Sequence, residues 1–241
     1  MNISRFEFLN FARGFFLSLM LASNIPASVL AQNSINFRST TGDAPGKREA
    51  GANRSGSCVR DNNGLVALLP KNNLATTTKA YPTIYAYFPD TLAQYAEFAL
   101  YEEGSDDLIY GTLFKVTGRS GLVRVEMPNT ATFTPLQIGQ KYYWYLSLIC
   151  NTSDRSDDIT VQGNFERVTV SNELLQQLQS ASPQRYPFVY AEAGLWPETI
   201  ESILELNQNN NRGSQTLQQN FSDLLRSVGL TSIADQLLLP Y

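Results

Sequence analysis

Carboxylates are the groups in this chain best placed to do chemistry. Glu102, Glu103, Asp106 and Asp107 crowd into one short stretch, and Asp154, Asp157 and Asp158 into another. Two carboxylates on opposite sides of a sugar can hydrolyse a glycosidic bond, one as acid and the other as base or nucleophile. A cluster of carboxylate oxygens can instead hold Ca²⁺. Neither stretch has the D-x-D-x-D-G spacing of a calcium loop, and acidic turns are most often simply solvated. Other catalytic machinery is missing. The chain has no histidine, which removes Ser-His-Asp and Cys-His nucleophiles, histidine metal ligands and histidine acid–base catalysis. Lys47, Lys71, Lys79, Lys115 and Lys141 show no S-x-x-K spacing, and there is no P-loop and no G-x-G-x-x-G unit. The expectation is a protein that is not an enzyme and has no cofactor or metal.

Cys58 and Cys150 are the two cysteines. In an oxidising compartment an even pair is most simply a disulfide. Closing so long a loop restricts the unfolded chain by about 4 to 5 kcal/mol in the loop-entropy model. The alternative is a redox pair, but such cysteines usually sit close together, as in C-x-x-C. Surface aromatics are the other candidates for function. Tyr143 and Tyr145, with Tyr85 and Tyr87, are expected to face outward, where they could stack on sugar rings. The competing reading is that C-terminal helices, which need an apolar partner, cover them.

These residues must be positioned by the rest of the chain, which begins with an export signal. Arg5 and Arg13 precede the apolar run 14–22, then Ser23, Asn24 and Pro26, and Val29-Leu30-Ala31 supplies the small residues of a cleavage site. Residues 1–31 are therefore expected to be a signal peptide cut after Ala31. The run is too short to anchor, because a spanning helix needs about 20 apolar residues. The chain is mildly acidic, with a formal charge of −4, a poor match for nucleic acid or an anionic membrane surface. Residues 32–57 carry five glycine or proline breaks, with Lys47, Arg48 and Arg54 making them basic. They are expected to be a flexible linker, or else a docking segment for an acidic partner.

From 58 to 170 the hydrophobic period is two. Seven strands are predicted at 65–69, 82–88, 95–101, 108–116, 122–127, 141–150 and 159–170, punctuated by turns, which argues for a β-sandwich. Leu136, Gly139 and Tyr142 before the long strand resemble the tyrosine corner of immunoglobulin-like and fibronectin type III sandwiches. In that arrangement Tyr142, Trp144, Leu146 and Leu148 face the core, while Tyr143, Tyr145, Ser147 and Ile149 face out. After Val170 the period becomes helical. Ser171 can cap a helix carrying Leu174, Leu175 and Leu178, Pro197 suits a helix start, and Gly229 can end a last helix. The stretch from Tyr190 through Trp196 to Leu206 looks like one tetratricopeptide hairpin. A single copy must pack on something else.

The chain also resembles, across about 48–237, a cyanobacterial family catalogued as domain of unknown function 928. The resemblance rests on Leu68-Leu69-Pro70, Tyr81-Pro82-Thr83, Ala96-Glu97-Phe98-Ala99-Leu100 and Leu136-x-x-Gly139-x-x-Tyr142-x-Trp144. It continues through Cys150, Arg155-Ser156, Val161-x-Gly163, Ala193-Gly194-Leu195-Trp196 and the segment 224–230. It implies an exported cyanobacterial protein with no known activity, whose family members accompany genes for membrane sensors with extracytoplasmic CHASE-type domains. The expected fold is α+β: a seven-stranded immunoglobulin/fibronectin-III-like antiparallel sandwich at 58–170, followed by a helical region at 171–241 packed on it. The expected function is that of a periplasmic or secreted binding module without catalysis, with no membrane anchor once the signal is cleaved. Its partner would be another extracytoplasmic protein, a membrane sensor domain being the class the resemblance implies. The alternatives are a carbohydrate-binding module using surface aromatics and, behind it, a carboxylate-dependent glycan hydrolase.

Overall fold

Eight strands form among the described residues, most of them from alternating apolar positions: β1 Val66–Ala67, β2 Leu74–Thr77, β3 Thr83–Phe88, β4 Tyr95–Glu102, β5 Leu108–Lys115, β6 Gly121–Glu126, β7 Lys141–Ile149 and β8 Ile159–Arg167. The computed structural model describes residues 34–40, 42–50, 58–60, 63–130, 133–209 and 215–237. The predicted signal, 1–31, lies outside them, as does Arg54. The strands form two sheets, one in the order β1-β3-β6 and the other β2-β8-β7-β4-β5. All pairs are antiparallel except β2 with β8.

β2 is the strand that periodicity missed. Its four residues, Leu-Ala-Thr-Thr, are all buried, so they show no alternation. Parallel pairing with β8 holds it, from Leu74 opposite Asn164 to Thr77 opposite Arg167. The Asn164 side chain supports the junction by donating to the carbonyl of Asn73 at 3.1 Å.

Side chains from both sheets meet in one core. In β7 the even positions point inward: Trp144, Leu146 and Leu148 are fully buried. Trp144 lies opposite Gly163 of β8. A Cβ at 163 would come within 2.3 Å of the indole, so only glycine admits the ring. Tyr142 is buried beneath the loop that precedes it, and its hydroxyl accepts the N–H of Gln137 at 2.8 Å. Just beyond β7, Cys150 is bonded to Cys58 across 92 positions.

Five α-helices follow among the described residues: α1 Asn172–Ser180, α2 Tyr186–Glu192, α3 Trp196–Asn209, α4 Gln215–Ser227 and α5 Thr231–Ala234. Ser171 caps α1 by accepting the Leu174 N–H at 3.1 Å. α3 packs on β2 and β3. Its first residue, Trp196, is buried and donates its indole N–H to the Leu68 carbonyl at 2.6 Å. In the first turn of α3, the buried Glu198 carboxylate accepts the Thr78 N–H at 2.7 Å and the Thr77 hydroxyl at 2.9 Å. A helix N-terminus favours a negative charge there.

The expectation of a flexible linker at 32–57 is corrected for residues 34–40 and 42–50, which pack on the body. Ile35 is buried. The Phe37 ring meets Trp196 edge-on at 4.8 Å, and the Arg38 N–H donates to the Ala191 carbonyl at 3.1 Å. Arg48 turns inward and donates to the carbonyls of Leu69 and Val228, both at 2.9 Å, tying a strand end to a helix end. Backbone bonds fasten the same segment, with the Ala50 N–H donating to the Leu65 carbonyl and the Ala67 N–H to the Arg48 carbonyl, at 2.9 and 2.7 Å. The unit that begins at Ser34 contains both strands and helices, so the helical region from 171 onward shares its core with the sandwich.

Candidate functional site

The predicted surface tyrosines lie on outward faces of different sheets, and the helices cover one face only. Tyr85 and Tyr87 point away from the sandwich core on β3, whose inner face carries Phe88 against Phe114 at 6.4 Å. Both tyrosines are nonetheless buried. Tyr87 donates its hydroxyl to the Gln236 side chain at 2.9 Å. Burial, with the Glu201 charge second, pushes the Tyr85 phenol well above its ordinary range. The expectation that Tyr85 and Tyr87 could serve as a ligand platform is therefore corrected. They are core residues because amphipathic helices need an apolar surface and find it here.

Among the described residues no helix covers Tyr143 or Tyr145 in this way. Tyr145 is 36% exposed, and Tyr143 is half-buried. Register explains their setting. Three rows run across the outer face of the five-stranded sheet. One holds Tyr101 opposite Tyr143, the next Gly111, Ala99, Tyr145 and Gln162, and the third Leu113, Glu97, Ser147 and Thr160. Tyr101 and Tyr143 stack at 5.2 Å with their planes 10° apart. Tyr145 stands edge-on to both, at 6.1 and 5.9 Å. This geometry fixes the orientation of the three rings. The Tyr143 hydroxyl donates to Asp106 at 2.7 Å. That hydrogen bond is the main reason its phenol is pushed up to about 12.

A groove of about 400 Å³ opens beside Tyr145, bounded by Gly46, Lys47, Thr160 and Gln162. Gly46 lets the N-terminal segment approach β8, because a Cβ there would come within 2.8 Å of the Gln162 side chain. The Lys47 carbonyl accepts the Gln162 N–H at 2.9 Å. The site thus presents an aromatic ring, an amide, a hydroxyl and an ammonium on a rigid sheet. Tyr101 and Lys47 were not singled out by sequence as site residues. Tyr101 could have been found from its strand parity, whereas Lys47 required the packing of its segment.

The acidic stretches are in neither cavity. Glu102, Asp106 and Asp107 belong to the tight turn between β4 and β5, closed by backbone bonds of 3.1 Å. Glu102 and Asp107 therefore sit on one hairpin rather than on opposed walls, as two-carboxylate hydrolysis requires. In the other stretch Asp154 accepts the Ser156 N–H at 3.0 Å, and Arg155 pairs with Asp158 and with Glu97 at 2.7 Å. Among the described residues no group of three or more His, Cys, Asp or Glu is placed to hold a metal. A second cleft, of about 510 Å³, lies between α3 and the β3–β6 sheet. Two of its cations are engaged with carboxylates, Lys79 with Glu201 and Arg124 with Glu126.

Comparison with known proteins adds three findings. The family described as Domain of Unknown Function (DUF928) matches over residues 49–238. No curated protein matches. Among solved structures the chain is similar to the fn3 domain of human collagen alpha-1(XX) chain, at 8% identity and a TM-score of 0.27. The alignment covers 51% of this chain and 93% of that one.

Proposed function

Given that the chain belongs to the family described as Domain of Unknown Function (DUF928), which brings no activity with it, we propose that it is an exported binding module without catalysis. Its ligand face is the outer surface of the five-stranded sheet around Tyr101, Tyr143 and Tyr145. The cysteine bridge supports export, because disulfides persist in oxidising compartments. No helix among the described residues is long and apolar enough to cross a membrane. The finer architecture we assign is an immunoglobulin/fibronectin-III-like sandwich. It is supported by the split of β1-β3-β6 from β8-β7-β4-β5 and by the Tyr142 hydroxyl bound to the loop before its strand. We read β2 as an addition to that plan, and α2 with α3 as a single tetratricopeptide-like hairpin.

Carbohydrate is the ligand class this face fits best. The observation that carries the reading is Tyr145, exposed in a groove with Lys47, Thr160 and Gln162. A ring fixed by its neighbours can stack on the apolar face of a sugar, while the polar groups take its hydroxyls. A glycan array probed with the exported chain and with Tyr145→Ala tests this. The expected result is binding by the first and at least a tenfold loss in the second, with unchanged thermal stability. An array on which the native chain binds nothing would sink the carbohydrate reading. A second reading, an extracytoplasmic protein on the same face, is favoured by exposed Leu108 and Leu113 at its flank. Capture of one partner by native protein but not by Tyr145→Ala, with an empty glycan array, would favour it.

A further inference from the structure

The cleft between α3 and the three-stranded sheet is on the other sheet from Tyr145, and the sugar reading makes no use of it. Its volume, about 510 Å³, is that of a small-molecule site, since such cavities run from about 300 to 1,000 Å³. Register builds its floor. β3 and β6 pair with Thr83 opposite Glu126 and Tyr85 opposite Arg124. Residues two apart on a strand share a face, so these four polar side chains form one square on the outer face of the sheet. α3 makes one wall. Glu201, Glu205 and Gln208 follow at spacings of four and three, which stacks them along one side of the helix. Lys79 and Tyr81, from the segment between β2 and β3, close another side.

Charge then selects the ligand. Lys79 and Arg124 line the cleft against Glu126, Glu201 and Glu205. Lys79 pairs with Glu201, and Arg124 with Glu126 at 3.3 Å. Glu205 is exposed and has no cation partner among the described residues. The Tyr85 phenol in the floor is kept protonated by burial, so it adds no charge. The cleft therefore carries one carboxylate in excess, in a space also lined by the half-buried Tyr81 ring. A carboxylate and an aromatic ring together take an organic ammonium: the carboxylate balances its charge, and the negative face of the ring attracts the cation. An anionic ligand would find both cations already engaged and an uncompensated negative group beside them.

We propose that this cleft is a second ligand site and that it binds a small monovalent organic ammonium. Glu205 is the counter-ion and Tyr81 the ring that covers the alkyl groups. Leu204 and Met127 add apolar surface for those groups. The two sites are independent, because the cleft belongs to the three-stranded sheet and the groove at Tyr145 to the five-stranded one.

Isothermal titration calorimetry of the exported chain tests the assignment, with choline as the probe and neohexyl alcohol as its uncharged isostere. Choline is expected to bind, and the alcohol to bind at least tenfold more weakly. Glu205→Gln should weaken choline tenfold or more without lowering thermal stability, because Glu205 is exposed and unpaired. Tyr81→Leu should weaken it too, and Tyr81→Phe should retain it, which separates a ring contact from a folding defect. Tyr145→Ala should leave choline binding unchanged, so the glycan array and the choline titration report on different sites. A native chain that takes up no choline at millimolar concentration overturns the proposal. So does equal binding of the neutral isostere, or choline binding indifferent to Glu205→Gln.

Discussion

The two outer faces of the sandwich carry the same kind of residue and meet opposite fates. On the three-stranded sheet Tyr85 and Tyr87 are closed off, Tyr87 held by Gln236 and Tyr85 set beside α3. On the five-stranded sheet Tyr143 and Tyr145 pack on each other and on Tyr101, and Tyr143 also bonds Asp106. The difference lies in connectivity. The isolated bridge between Thr76 of β2 and Leu195, with the Trp196 bond to Leu68 just after β1, docks the helical half against β2 and β3. Amphipathic helices then cover the face they reach, and among the described residues none covers the far one. A surface tyrosine is thus a core residue or a ligand contact according to what else the chain puts over it.

Substitutions should separate the faces clearly. The largest effect is expected from removing the bridge that fastens the end of β7, the middle strand of the bare sheet. Cys58→Ala with Cys150→Ala should lower the unfolding free energy by about 4 kcal/mol, read from urea denaturation. Trp196→Ala, which strips the covered face of its anchor, should cost about 3 to 5 kcal/mol. Tyr87→Ala should cost about 3 kcal/mol, whereas Tyr145→Ala should stay within about 1 kcal/mol. Equal costs at positions 87 and 145 would break the contrast between the faces. Glu198→Ala strands the Thr77 hydroxyl and Thr78 N–H under α3 and should cost about 1 to 3 kcal/mol.

The smallest effect is a matter of pH. Burial raises the Tyr85 phenol in the folded state, so the fold favours its protonated form. That contribution is complete below the ordinary phenol range and is lost as the pH rises through it towards the folded value. Alkaline titration followed by phenolate absorbance should show Tyr85 ionising after Tyr143. Tyr143 should ionise near 12 in the native chain and earlier in Asp106→Asn, because its shift comes first from the hydrogen bond to Asp106, with burial second. A Tyr143 unmoved by Asp106→Asn would show that the bond does not hold in solution.

Much of this fold is legible residue by residue. The alternation at 141–150 assigns Trp144, Leu146 and Leu148 inward and Tyr143 and Tyr145 outward, and the structure places them so. The Leu-x-x-Gly-x-x-Tyr pattern points to the Tyr142 bond with its preceding loop. Ser171 marks the start of α1. Strand β2 and the packed residues 34–40 and 42–50 were not legible, because each is held by distant partners rather than by its own pattern. For β2 the partner is β8, and for the N-terminal segment the partners are Trp196, Leu69 and Val228.

The sequence by itself determined the export expectation, the two-period and helical halves, the cysteine pairing and the absence of histidine chemistry. Each of these depends on residue type or on spacing along the chain. Only the tertiary structure decided which outward tyrosines stay outward, that Arg48 turns inward while Lys47 lines a groove, and that β5 comes last in its sheet among the described strands. Strand parity tells a side chain which face of its own sheet to take. It carries no information about what a segment a hundred residues away will lay over that face.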